Sequence, residues 1–172
     1  MNGSYSKPVT FMVLEQLDAE LESRHERSLD HYLGLILDFG AEGYGNATPE
    51  DAVSFAWTGM DGEHFAFDTQ SGKIGDLENA PILFVRPMEF EEPVKRAAGS
   101  LKDFLSFLLR IKDYYLLERF EFFESEAAFL EEIAVGPKRD ESEFAHVRER
   151  LIALLDIREM ANPYTYLKAL QD

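Results

Sequence analysis

A chain of 172 residues in which 45% of side chains are hydrophobic and 13% aromatic can bury roughly 70% of the surface its unfolded form exposes, which excludes a disordered polymer and removes the need for covalent staples. The absence of cysteine excludes disulfides, thiol nucleophiles and thiolate metal sites. A net charge of −16, from 17 basic and 33 acidic side chains, repels nucleic-acid phosphates and anionic lipid headgroups, and it favours encounter with a basic protein.

The N-terminal stretch has no basic segment followed by an unbroken apolar core, so no secretory leader is expected. No apolar run approaches the ~20 residues of a membrane span. A soluble, cytoplasmic, single-domain chain over residues 1–172 is the expectation, with no membrane or nucleic-acid partner.

In chain order, Val9, Val13, Leu17 and Leu21 recur at helical spacing, and Pro8 suits a first turn; an amphipathic helix is predicted over 8–25. Residues 30–40, DHYLGLILDFG, are apolar and read equally as a buried strand or a helix. Residues 40–51 carry Gly40, Gly43 and Gly45 and read as a loop, ending in a helix-start signal with Thr48 as N-cap and Pro49 at the first helical position. The pattern then changes to period two. Phe55 and Trp57 share one strand face, as do Phe65 and Phe67, and Gly59–Gly62 joins the two runs as a hairpin. With the apolar run 81–85, an antiparallel meander is predicted over 53–86.

Beyond it the pattern is helical. Ser100 and Asp103 form a capping box that opens a helix with Leu101, Phe104, Leu105 and Leu108 on its core stripe. Residues 113–123 either continue that helix or break from it, with helix the preferred reading; 125–134 read as a further helix stopped by Gly136-Pro137, 143–155 as another, and Asn162-Pro163 opens the last. The segment 136–140 is too short to separate domains. The fold class is α+β: a central antiparallel sheet with helices packed against it and a helical C-terminal extension.

Asp61-Gly62-Glu63-His64 places two acids beside a histidine. A hard-metal loop needs several oxygens at fixed offsets, and here hydrophobic residues follow. On a strand Glu63 shares a side with Phe65 and Phe67, whereas His64 shares the other with Ala66 and Asp68; His64 and Asp68 then lie about 13 Å apart and cannot pair. Asp-Gly tolerates the positive φ that a tight hairpin needs, so the stretch reads as a turn. Glu22-x-x-His25 and Glu143-x-x-His146 are the half-sites of a di-iron carboxylate bundle, but such a bundle conflicts with the central strands, and both pairs sit in strongly charged stretches. No nucleophile elbow and no phosphate-cradling glycine loop occurs. Neither a catalytic residue nor a cofactor or metal ligand is assigned.

Residues 48–67, followed by 81–109, resemble the SUKH superfamily, which contains fungal cell-wall assembly regulators and bacterial toxin-immunity proteins. The positions that carry the likeness are Thr58-Gly59, Asp61-Gly62 before His64-Phe65, the apolar strand ending at Pro87, Phe90, Ala97-Ala98 and the Ser100-Leu101 helix start. The N-terminal half lacks the Leu-Pro and Asn-Gly features of many members, and residues 111–172 extend beyond a minimal domain of this type. The resemblance implies an α+β fold with a central antiparallel sheet, and binding rather than catalysis: an immunity protein that neutralises a cognate toxin, with a scaffold or regulator of envelope assembly as the alternative. An acidic surface suits a basic, nuclease-like toxin. Glu89, Glu91 and Glu92, with Glu121, Glu124 and Glu126, are the candidate partner-binding acids, and Tyr114, Tyr115, Phe122 and Phe123 the candidate apolar surface for a scaffold. An unrecognised enzyme would instead need carboxylates with shifted pKa values gathered at one place.

Overall fold

The computed structural model describes residues 5–24, 26–112, 114–135 and 141–171. Five antiparallel strands form one sheet in sequential order: β1 (Ile36–Leu37), β2 (Val53–Trp57), β3 (His64–Phe67), β4 (Ile82–Val85) and β5 (Val94–Ala98). Helices α1 (Val9–Ser23), α2 (Leu29–Leu33), α3 (Leu101–Ile111), α4 (Tyr115–Glu118), α5 (Glu126–Val135), α6 (Glu141–Leu155) and α7 (Pro163–Gln171) complete an α+β architecture. Short 3₁₀ turns occupy Leu77–Asn79 and Phe120–Phe122.

The alternation of the meander sorts side chains to two faces. Phe55, Phe65, Phe67 and Phe84 lie on one, where Phe11 of α1 and Phe104 of α3 meet them, with ring centroids 6.3 Å apart for Phe11–Phe55 and 4.7 Å for Phe65–Phe104. The chain's 14 phenylalanines supply most of the largest fully buried side chains, and aromatic rings of this size dominate core energetics. Trp57, His64, Ala66 and Leu83 lie on the other face, covered not by a helix but by the loop over 41–52. Phe55 and Trp57 therefore do not share a face: the register shifts between Ser54 and Ala56, and this irregularity breaks the alternation of β2.

Both readings of 30–40 are realised in succession, as α2 ends at Gly34 in the left-handed region and β1 follows. α1 runs where its periodicity places it, but its buried face is Thr10, Phe11, Leu14, Leu17 and Leu21, with Val9 exposed. Pro8 offers no capping side chain, so the Glu78 carboxylate arrives from the Leu77–Asn79 turn to accept hydrogen bonds from the Thr10 amide (2.9 Å) and hydroxyl (2.6 Å). Thr48 does not cap a helix: after it there is one turn, closed by the Ala52 amide donating to the Pro49 carbonyl. Strand β5 is a finding beyond the predicted meander, because Lys95 and Arg96 interrupt its apolar pattern.

Ser100 caps α3 by accepting from the Asp103 amide at 3.2 Å, as the capping box predicts. The Asp103 carboxylate, however, accepts from the Tyr166 hydroxyl (2.9 Å), whose oxygen accepts from the Gly99 amide (2.7 Å). Beyond α3 the chain does not run on as one helix over 113–123. Lys112 stops α3 at a φ of 63°, and α4 and the Phe120–Phe122 turn follow as separate short pieces.

Gln171 donates to the Arg96 carbonyl at 2.8 Å. Together with the Tyr166 bonds, this lays α7 along the outer edge of β5 and satisfies backbone groups that an open sheet edge would expose. α6 lies against α1, joined by the Arg150–Glu20 pair at 2.8 Å, and side chains from α5, α6 and α7 enter the same hydrophobic cluster as the sheet. The Gly136-Pro137 stop lies outside the described residues.

Candidate functional site

The Asp61-Gly62 turn holds φ at 50° and 73°, both positive as a two-residue type I′ connection requires, and the Glu63 amide donates to the Met60 carbonyl at 2.8 Å. His64 then points into the loop-covered face. The Gly62 carbonyl can only accept, so Nδ1 carries the proton at 2.8 Å, and Nε2 accepts from the Thr48 hydroxyl at 3.0 Å. The same hydroxyl accepts from the Tyr44 amide at 2.8 Å. Burial pushes the imidazole below its ordinary pKa, which keeps it neutral. With Trp57 packed on one side and Tyr44 stacked nearby, His64 is a satisfied structural histidine that pins the 41–52 loop to the sheet. Asp68 turns away to accept from the Gln70 amide.

Gly62 sits directly beneath the Tyr44 ring: a Cβ there would lie 2.7 Å from it, at a positive φ. Gly62→Ala is therefore expected to cost about 1–2 kcal/mol through backbone strain and to unseat Tyr44. Urea unfolding followed by Trp57 fluorescence checks this.

Glu63 faces the opposite way, under the helices, and only 6% of it is exposed. There it meets a cluster of charge that sequence patterning does not reveal. Arg86, 5% exposed at the end of β4, and Lys95, half-buried on β5, lie at the same end of the sheet, roofed by α4 and the Phe120–Phe122 turn. Glu118 of α4 is the nearest carboxylate to act on it. Burial first, then the Glu118 carboxylate, push its pKa up to about 8, with Asp61 adding to the effect and Arg86 opposing it. The Arg86 guanidinium lies 3.9 Å from the Glu121 carboxylate, and its Nε is buried without a hydrogen-bond partner. Lys95 donates to the Leu117 carbonyl at 3.3 Å; burial and then the adjacent Arg86 lower its pKa, while Glu121, Glu118 and Glu92 act in the opposite direction. Burial pushes the Tyr114 hydroxyl up to about 12.

The candidate partner-binding acids divide accordingly. Glu89, Glu91 and Glu92 are exposed on the β4–β5 connection, and Glu121 is exposed on the Phe120–Phe122 turn. Arg86, which opens the β4–β5 connection, lies 3.9 Å from Glu121, so these two segments share one end of the molecule. Exposed Phe90 (85%), Met88 and Phe122 (74%) belong to the same two segments. Glu124 is exposed beyond the turn, and Glu126 opens onto a cleft of about 350 Å³ against Tyr164, Thr165 and Lys168 of α7. The apolar surface expected for a scaffold is corrected in part: Tyr114 is core and Phe123 packs on Phe129, which leaves Tyr115 and Phe122 exposed.

Glu143 and His146 line a cleft of about 520 Å³ with Glu26, Arg27, Tyr32 and Ser142, and the Tyr32 hydroxyl donates to the Glu143 carboxylate at 3.4 Å. Its counterpart His25 lies outside the described residues. Among the described residues no three histidines or acids gather as metal ligands, and no helix is long and apolar enough to cross a membrane.

The sequence signal for the buried cluster is faint. Alternation alone places Glu63 on the Phe65 side, but nothing local to Glu118 or Lys95 announces that they meet it. Comparison with family models, with curated proteins and with solved structures finds no match to this chain.

Proposed function

We propose that this chain is a non-catalytic protein-binding module whose contact surface is the end of the sheet formed by the β4–β5 connection and the Phe120–Phe122 turn, and that its partner is a basic protein. In the reading that the SUKH resemblance suggests, the partner is a cognate toxin and the module is an immunity protein that occludes it. The observation that carries the proposal is the pairing of exposed Phe90, Met88 and Phe122 with Glu89, Glu91, Glu92 and Glu121 on two segments brought to one place. Large apolar anchors within a charged rim are the anatomy of a protein interface, and the net charge of −16 would steer a basic partner towards it.

The triple variant Glu89→Lys, Glu91→Lys, Glu92→Lys is expected to slow association with such a partner about tenfold or more at low salt and to leave thermal unfolding unchanged. The check is capture from the native lysate with wild type and variant side by side, followed by on-rates for the purified partner. A basic partner held equally by both proteins would overturn the assigned surface.

A second reading, a scaffold for an endogenous envelope-assembly partner, is favoured by the same exposed Phe90 and Phe122. It expects binding that survives high salt and falls on Phe90→Ala or Phe122→Ala while tolerating the charge reversals.

A further inference from the structure

The two edges of the sheet end differently. β5 is sealed by α7, whereas β1 is paired with β2 alone. That pairing runs on past Leu37: the Asp38 amide donates to the Phe55 carbonyl at 2.9 Å and the Gly40 amide to the Ser54 carbonyl at 2.7 Å. Because the Asp38 backbone faces β2, antiparallel alternation turns the amide and carbonyl of Leu37 outward. Among the described residues no hydrogen bond reaches either group. The Leu37 side chain packs on the core, while Ile36, in register with Trp57, stands 43% exposed. Gly59 lies so near Ile36 that a Cβ there would be 3.4 Å from its side chain, and exposed Met60 follows it. The half-exposed Tyr44 ring lies 6.2 Å from that of Trp57 and extends the apolar strip. An unpaired strand edge beside exposed apolar side chains is a template for one more strand.

We infer that the β1 edge accepts an extended segment of a partner chain, rich in lysine or arginine, as a further antiparallel strand. The charge of this half of the sheet selects that occupant. No lysine or arginine occurs between Arg27 and Lys73, the stretch that builds β1, the 41–52 loop, β2 and β3. Asp38, Glu42 and Asp61 are exposed there, and none of them carries an ion pair or a side-chain hydrogen bond among the described residues. Ile36 and Asp38 stand two apart and so project to one face of the strand. An added strand with alternating apolar and cationic residues on that face meets both. Backbone pairing then supplies affinity, and the cationic-apolar alternation supplies selectivity. A second copy of this chain is the poorer occupant, since pairing β1 with itself brings two Asp38 edges together between bodies that each carry −16. The inference does not depend on the contact surface proposed above, which belongs to the β4–β5 connection.

The probe is a capped synthetic peptide of repeating Lys-Thr-Val-Thr. It is compared with the same peptide N-methylated at every second residue, which keeps the charge but cannot pair along a strand. Amide exchange of the full chain is followed by NMR. In the free protein the Leu37 amide is expected to exchange at close to the unprotected rate, and that of Asp38 to be protected. Saturating peptide is expected to slow Leu37 exchange about tenfold or more, and the methylated peptide to leave it unchanged. Asp38→Lys, at an exposed position with no bond to lose, is expected to weaken peptide binding about fivefold without altering the folded spectrum. The triple variant Glu89→Lys, Glu91→Lys, Glu92→Lys is expected to bind the peptide as wild type does at physiological ionic strength, where charges beyond roughly 8 Å are largely screened. Three results overturn the inference: no slowing at Leu37, equal slowing by the methylated peptide, or slowing that appears without peptide as the protein concentration rises. Leu37 protection together with a native partner that tolerates the triple variant would sink the contact surface proposed above and leave this edge standing. A partner lost in the triple variant, with Leu37 unprotected by the peptide, would do the reverse.

Discussion

Phe104→Ala is expected to destabilise the fold by about 3–5 kcal/mol, the range for truncating a fully buried phenylalanine. Phe104 lies in the middle of α3, fully buried, with its ring 4.7 Å from that of Phe65 and 6.3 Å from that of Phe55. It therefore joins the principal helix to two strands at once. Truncation removes apolar area and leaves a void that a sheet on one side and α1 on the other cannot readily close. Chemical denaturation with an unchanged slope and a lower midpoint is the expected reading. The control is Phe122→Ala, which removes an equal ring from an exposed position and should stay within about 0.5 kcal/mol. A loss at Phe104 no larger than at Phe122 would mean that α3 does not pack on the sheet through this residue.

The second large effect concerns pH. The folded-state pKa of Glu63, about 8, lies above its value in the unfolded chain, about 4.3. Between these values the folded state binds the extra proton. The contribution of Glu63 to stability is thus fully present below about pH 4.3 and is lost progressively as pH rises through 8, by at most about 1.4 kcal/mol per pH unit. Glu63→Gln keeps the shape without the titration. It is expected to be more stable than wild type by on the order of 3 kcal/mol at pH 8.5 and nearly equal to it at pH 4. Urea titrations at several pH values provide the check; parallel pH profiles for the two proteins would show that Glu63 ionises in the native state at no cost. The high density of acids elsewhere affects both proteins alike, so the difference between them isolates this carboxyl.

The local elements whose signals are complete within a few residues are legible in the amino-acid order. The Asp61-Gly62 turn follows from two adjacent residues that tolerate positive φ, and both adopt it. The α3 start follows from Ser100 and Asp103, and Ser100 makes the cap. The meander follows from period-two phenylalanines, and Glu63 stands on the Phe65 side as alternation requires. Where a signal has two physical outcomes, tertiary contact chooses. Thr48-Pro49 is a sound helix start, but the Thr48 hydroxyl is engaged by His64 and the Tyr44 amide instead. Val94–Ala98 has a weak strand pattern, yet it pairs along the whole of β4 and is sealed by α7. Val9 belongs to the helical repeat of α1, but the face that the sheet and Glu78 select leaves it in solvent.

Sequence alone suffices for the α+β class, the tight turn that precedes His64 and the excess of acidic side chains, because each depends on local sterics, periodicity or summed charge. It does not suffice for the meeting of Glu63, Arg86 and Lys95 with Glu118 and Glu121 beneath α4, which is a product of tertiary packing. These residues come from two strand ends, a strand interior and a short helical segment, and neither spacing nor propensity constrains their approach. A carboxyl becomes unusual only when burial removes water from it and a second carboxyl is placed against it, and both conditions arise from how distant parts of the chain pack.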